Sequence, residues 1–145
     1  ILPFSDNSVD IVWSSGVLEH WEDEELNIIV PEIVRIARKK VIAFVPSASS
    51  VFYLYGKHTA ETQGMWKYGR EIPRESLKFV FENAGLVNIR EKRIWADAAI
   101  KFLSYTDPIL YRSLMTWWKT LPENHIIKTE QGYLLMTVGE KNING

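Results

Sequence analysis

Leu2-Pro-Phe-Ser-Asp-Asn-Ser-Val-Asp-Ile-Val-Trp-Ser-Ser-Gly-Val-Leu-Glu-His20 sets the frame in which the rest of the chain is read. Ser5-Asp-Asn-Ser8 is a turn cluster, and Val9 to Ser15 has the β-branched and aromatic content of a short strand. A helical region is predicted from about Glu22 to Arg38, with Ile29, Ile33, Ile36 and Ala37 at helical spacing. Pro31 should kink that region or open a second helix. Lys40-Val-Ile-Ala-Phe-Val45 is a continuous apolar run, read as a strand buried on both faces and closed by Pro46. Strand, helix, strand implies a right-handed parallel crossover in an α/β fold.

Further along, residues 47–72 read as irregular and aromatic. Leu77, Val80, Phe81 and Ala84 form one apolar helical face, with Gly85 as its stop. Val87 to Trp95 and Tyr133 to Val138 read as strands, and Ile109 to Leu121 as a helix. Trp117 and Trp118 are adjacent on that helix and cannot share a face, so one should reach a surface. Four strands and three or four helices result, in one structural unit without repeats or linkers.

The 145 residues carry a net charge of -1, with 46% hydrophobic and 24% charged side chains, the make-up of an ordinary globular domain. Disorder, collagen and coiled coil are excluded. No apolar run approaches the roughly 18 residues of a membrane span, so a membrane partner is not expected and a cytoplasmic location is. There is no cysteine, and His20, His58 and His125 lie too far apart for a local metal motif, which removes thiol and zinc chemistry. Eight acids precede Arg35 with no basic residue among them. They read either as a surface for a basic partner or as acids at a helix start, Glu22 to Glu25, answered at its end by Arg35, Arg38, Lys39 and Lys40. The later basic residues form no stripe, so nucleic acid is not expected as a partner. Gly64 and Gly69 have phosphate-loop spacing without its Lys and Ser/Thr, and no G-x-G-x-x-G turn is present.

The opening stretch, written LPF-x-D-x-S-x-D-x-V-x-S-x-x-V-L-E-H, resembles the region into and past the fourth strand of class I S-adenosylmethionine-dependent methyltransferases. The resemblance continues through the Pro31 to Arg38 helix, the Val41 to Pro46 strand and Ser76-Leu77 to Gly85-Leu86. Tyr55-Gly56-Lys57, Trp66-x-Tyr68-Gly69 and Glu71-x-Pro73 are similar to a substrate-side insertion of one bacterial and archaeal group. The family's glycine-rich first turn and its ribose-holding acid have no counterpart in this sequence, and Ala37-Arg-Lys-Lys40 replaces the usual Lys-Pro-Gly-Gly. The resemblance therefore implies the C-terminal half of a Rossmann-like methyltransferase sheet, strands 4, 5, 7 and 6 of the order 3-2-1-4-5-7-6, with helices on both faces. Residues 1–145 would be a partial domain, inactive in isolation, with substrate-side insertions at 47–72 and 96–131.

For the site, the resemblance implies S-adenosylmethionine as cofactor and a small-molecule acceptor. Ligands of open parallel sheets sit beyond the carboxyl ends of strands at the switch point, which strand 4 flanks. That places Ser14, Ser15 and Gly16, with Val17 after them, against the cofactor, and the resemblance implies an apolar contact from Leu2 to its adenine edge; the plainer readings are a strand-to-helix turn with a Ser cap, and core burial for Leu2. His20 is a candidate general base, or a structural histidine bonding a backbone carbonyl, and Glu19 a solvated or capping carboxylate. Tyr53, Tyr55, Trp66 and Tyr68, with Phe52, would wall a substrate or form a satellite core. A non-catalytic protein-association module and a nicotinamide-dependent oxidoreductase are the rival functions. The outer edge of strand 4 lacks its family neighbour here, so self-association through that strand is expected.

Overall fold

Strand β1 (Val9–Ser15) pairs in parallel with β2 (Ala37–Pro46), and helix α1 (Asp23–Ile36) joins them, as the crossover reading requires. In this computed structural model, which describes residues 2–142, Val12 lies beside Val41, Trp13 beside Ile42 and Ser14 beside Ala43. Helices α2 (Val51–Thr62) and α3 (Lys78–Asn83) follow, then β3 (Leu86–Ile94), α4 (Ala96–Lys101), α5 (Pro108–Trp118), α6 (Ile126–Glu130) and β4 (Leu134–Lys141). The sheet order is β1-β2-β4-β3, which is the expected 4-5-7-6. Asn88 reaches Glu140 while Glu91 accepts from Thr137, so β3 and β4 run antiparallel. Lys40 meets Glu140 at one end of β4, and the Ser47 N–H donates to the Tyr133 carbonyl at the other, so β4 also runs against β2.

The chain divides into two compact units and carries six α-helices among the described residues, which corrects the expectation of one unit with three or four. The first comprises the residues up to Pro46, Ile72–Lys92 and those from Leu135 onward; the second comprises Ser47–Glu71 and Arg93–Leu134.

In the first unit, Leu26, Val30 and Val34 of α1 bury against Val41, Ala43 and Val45 of β2, together with Leu77, Phe81, Leu86 and Leu135. A single helix runs through Pro31, so of the two alternatives the one of a second helix opening there does not hold. Val30 and Val34 straddle the proline in one core, and tertiary burial outweighs the missing hydrogen bond. Of the predicted face, Ile36 and Ala37 are buried, Ala37 already as part of β2, while Ile29 and Ile33 only flank the core. A capping box between Glu22 and Glu25 starts the helix. At its end the Lys141 ammonium donates to the Val34 carbonyl at 2.7 Å. Arg38, Lys39 and Lys40 lie in β2 rather than in the last helical turn.

The acid-rich start is answered by cations at a distance. Arg35 pairs with Glu32 at 2.8 Å and Asp6 at 2.6 Å and donates to the carbonyls of Phe4 and Leu2. Arg38 pairs with Asp10, and Arg74 with Asp23.

Residues 47–72 contain the twelve-residue helix α2 and are not irregular throughout. Its buried face, Tyr53, Gly56, Lys57 and Ala60, recurs at helical spacing. The aromatic and β-branched content of Val51 to Tyr55 masks that period. A Cβ at Gly56 would stand 2.4 Å from the Phe102 carbonyl oxygen, so only glycine lets α2 approach that backbone. In the second core, Trp118 packs with Ile100 and Leu103 and donates its indole N–H to Asp97, while its neighbour Trp117 is 41% exposed.

Candidate functional site

The first candidate region is the carboxyl end of β1. Gly16 takes a positive φ of +72°, a conformation that L side chains resist, and so turns the chain out of the strand. A Cβ built on it would meet only a Glu19 carboxylate oxygen, at 3.8 Å, so open space lies above the turn. Ser15 and Gly16 are exposed, Ser14 is half-buried, and Val17 is 43% exposed. A single 3-10 turn, Leu18–His20, follows. It carries Leu18 and Glu19 inward and leaves His20 exposed. Glu19 is only 3% exposed, which corrects its reading as a solvated carboxylate; the tight turn places it beside Leu18 rather than in water. Leu2 is 38% exposed and is held by its backbone, its N–H donating to Glu32 at 2.6 Å, so core burial does not describe it.

One arrangement here escaped the sequence reading. The segment after residue 71 bridges the carboxyl ends of both strands: Ile72 N–H donates to the Glu19 carbonyl at 2.7 Å, and Arg74 N–H to the Pro46 carbonyl at 2.8 Å. The Arg74 guanidinium also bonds Asp23 and the Trp21 carbonyl. Nothing local in the sequence marks Arg74, because its partners lie about fifty residues upstream.

The second candidate region is a cavity of about 430 Å³ within the second unit. Its walls include Tyr68, Trp95, Phe102, Tyr105 and Tyr133, with Glu71 and Lys101 as the charged members. Behind them Tyr53, fully buried, lies 5.0 Å from both Phe102 and Tyr133, and those two rings are 5.0 Å apart. Trp66 stacks edge-on with Tyr68 at 5.1 Å and carries the Lys57 ammonium over its face at 5.1 Å. Of the four aromatic residues singled out from the sequence, Tyr68 lines the cavity. Tyr53 and Trp66 form the layer behind it, and Tyr55 is an exposed residue of α2 that does not line it. Trp95, Phe102, Tyr105 and Tyr133 were missed because they lie far along the chain from the aromatic cluster at Phe52 to Tyr68.

Trp95 is stationed by its backbone. It has a left-handed φ of +63° ahead of α4, unusual for a bulky side chain, and its indole stays 64% exposed at the cavity. Gly132 permits this: a Cβ there would stand 2.5 Å from the Ile94 nitrogen.

Residues 1–45 match the family model of the methyltransferase domain. The solved structures agree over nearly the whole chain. This is a methyltransferase fold. An S-adenosylmethionine-dependent methyltransferase of Thermotoga maritima, described as a possible histamine N-methyltransferase, superposes with a TM-score of 0.60 at 15% identity, over 98% of this chain and 60% of that one. A putative methyltransferase of Haloferax volcanii, solved in complex with its methyltransferase activator, gives 0.57 at 21% identity, over 100% of this chain and 59% of that one. An Archaeoglobus fulgidus methyltransferase gives 0.55 at 15% identity, over 95% of this chain and 62% of that one. The chain thus spans about three fifths of the length of these structures. No curated protein matches it in sequence. The family model covers the stretch from which the resemblance to class I methyltransferases was drawn, and the methyltransferase sheet order is the one observed. Among the described residues no three His, Asp or Glu side chains cluster as a metal site, and no helix is long and apolar enough to cross a membrane.

Proposed function

We propose that this chain takes part in S-adenosylmethionine-dependent methyl transfer to a small-molecule acceptor, with Ser14, Ser15, Gly16 and Val17 on the cofactor side. The observation that carries the reading is the Gly16 turn: positive φ and open space where a Cβ would stand, at the carboxyl end of the strand that ends the family motif. When bound, the cofactor supplies an electrophilic methyl group on a sulfonium. The residues of the turn supply backbone carbonyls and N–H groups at close approach, whereas Leu2, tied to Glu32 and Arg35 towards the amino end of β1, lies away from that turn. The Ile72 and Arg74 bridges hold that turn and the end of β2 in one arrangement, which favours a pre-formed site.

The second unit is assigned to the substrate side, with Tyr68 on the cavity wall and Tyr53 and Trp66 behind it. Tyr55 has no part in that wall. His20, exposed beside the turn, is the candidate acceptor for a proton released by a hydroxyl or amine nucleophile. Nuclear magnetic resonance titration with S-adenosylhomocysteine tests the proposal, since it detects weak binding. Shifts concentrated at Ser14 to Val17 support it, and an unperturbed turn at millimolar ligand overturns it.

A further inference from the structure

The aromatic cavity is bordered by two opposite charges, Glu71 and Lys101, that enter no ion pair among the described residues. Glu71 accepts a hydrogen bond from the Tyr53 hydroxyl at 2.8 Å and forms no ion pair among the described residues. Lys101 likewise has no ion-pair partner among them, although it borders both this cavity and the neighbouring cleft beside Asp97 and Glu123. Those two acids are engaged elsewhere: Asp97 accepts the Trp118 indole N–H, and Glu123 pairs with Lys128 at 2.8 Å. A carboxylate and an ammonium thus border one apolar-walled space, each with hydrogen-bonding capacity to spare.

The walls add a preference of their own. Ring faces carry negative quadrupole charge and attract cations, most strongly when water is excluded. Trp95 reinforces the point, because simple packing would not keep an indole exposed on a left-handed backbone.

We propose that this cavity binds a zwitterionic amine, its ammonium group held by the Glu71 carboxylate and the ring faces and its anionic group reaching Lys101. The volume of about 430 Å³ lies in the range of small-molecule sites and leaves room for a compact skeleton between the two charges. Tyr53 is the positioning residue, fixing one Glu71 oxygen and leaving the other for the ligand. The inference rests on the methyl-transfer reading for the ligand's role as acceptor, though not for its binding.

Calorimetric titration with four probes tests it: glycine betaine, phosphocholine, choline, and 3,3-dimethylbutanoate, the carbon isostere of betaine. Betaine or phosphocholine should bind about tenfold more tightly than choline and than the isostere. Glu71→Gln should remove the advantage over the isostere, and Lys101→Gln the advantage over choline, with melting midpoints confirming that both variants fold. Betaine and phosphocholine both binding no better than the isostere would overturn the proposal, as would equal binding of choline, which would leave a plain cation cage. Titration with S-adenosylhomocysteine in parallel separates the two readings. Zwitterion selectivity without any cofactor binding would keep the cavity proposal and sink methyl transfer, whereas cofactor binding without selectivity would do the reverse.

Discussion

The buried Tyr53 hydroxyl donates to the Glu71 carboxylate at 2.8 Å, joining helix α2 to the last residue before the chain returns to the sheet. A hydrogen bond to a charged acceptor contributes about 1.5 to 3 kcal/mol, and Glu71, being half-buried, should fall at the lower end. Tyr53→Phe keeps the ring contacts to Phe102 and Tyr133 and removes only this bond. The expected outcome is a loss of about 1 to 2 kcal/mol in denaturant unfolding, with ligand affinity at the cavity reduced and the first unit's turn unaffected. Unchanged stability together with unchanged affinity would show that the bond holds nothing in place.

Gly56 tests the packing of the second unit more severely. Its missing Cβ would stand 2.4 Å from the Phe102 oxygen and 2.5 Å from the Phe102 Cβ, so Gly56→Ala forces α2 away from backbone. Overpacking of this kind costs about 1 to 3 kcal/mol, and more where backbone must move. Gly64→Ala is the control: Gly64 has a positive φ of +68° but open space around its built Cβ, and the substitution should cost about 1 kcal/mol. Equal melting midpoints for the two variants would contradict the close approach.

What the sequence made legible was periodic or local. The β-branched and aromatic content of Val9 to Ser15, the apolar run ending at Pro46 and the Leu77 to Gly85 face each reappear as an element within a few residues of the expected bounds. The strand order followed from the resemblance and not from the residues themselves. Helix α2 was not legible, because its buried face is made of Tyr53, Gly56, Lys57 and Ala60, none of them a strong apolar marker. The cavity was hidden for another reason: Glu71, Trp95 and Tyr133 meet only through long-range folding. The charge asymmetry was seen, but its resolution was not, since Arg35 answers Asp6 and Arg74 answers Asp23 across the fold.

Acid should release the opening loop before it melts the sheet. The Arg35 guanidinium, followed by the Leu2 N–H, lowers the Glu32 carboxyl from 4.5 to about 2. Arg38 likewise holds Asp10 below its ordinary value. A carboxyl depressed in the folded state contributes stability that is complete above its unfolded value and is lost as pH falls through its folded one. The loop from Leu2 to Asn7 should therefore loosen between pH 4.5 and about 2. Hydrogen exchange at the Asn7 N–H, which donates to the Arg35 carbonyl, reports it. Glu32→Gln should expose that amide already at neutral pH, and pH-independent protection in the wild type would refute the assignment.

Gly16→Val separates backbone strain from crowding at the proposed cofactor turn. With no atom within 3.8 Å of the built Cβ, the cost in the unliganded chain comes from forcing φ of +72° on a β-branched residue, about 1 to 2 kcal/mol. Any larger effect on S-adenosylhomocysteine binding must come from the ligand's own approach to the turn. Gly16→Asn, which tolerates the left-handed region, should restore most of the stability while still impairing binding. Both variants binding the ligand as the wild type does would remove the turn from the cofactor site.

The remaining expectation concerns β1, which ends the sheet order with only β2 beside it among the described residues. Trp13 is 67% exposed and Ile11 47%, on the same sheet face as Ile42 and Phe44 of β2, which are half-buried. An unpaired edge next to exposed apolar side chains favours pairing with another chain, and a two-fold arrangement would set two β1 strands antiparallel. The expected behaviour is concentration-dependent self-association, seen as a rising mass in light scattering. Trp13→Lys should shift the protein toward monomer, because a charge on that face opposes edge-to-edge packing while leaving the half-buried Val12 side of the strand intact. A polypeptide carrying the first three strands of a methyltransferase should compete for the same edge, since the family's order puts strand 1 beside strand 4. A wild-type chain that stays monomeric across a wide concentration range, with no response to the competitor, would show that the β1 edge is protected by some other means.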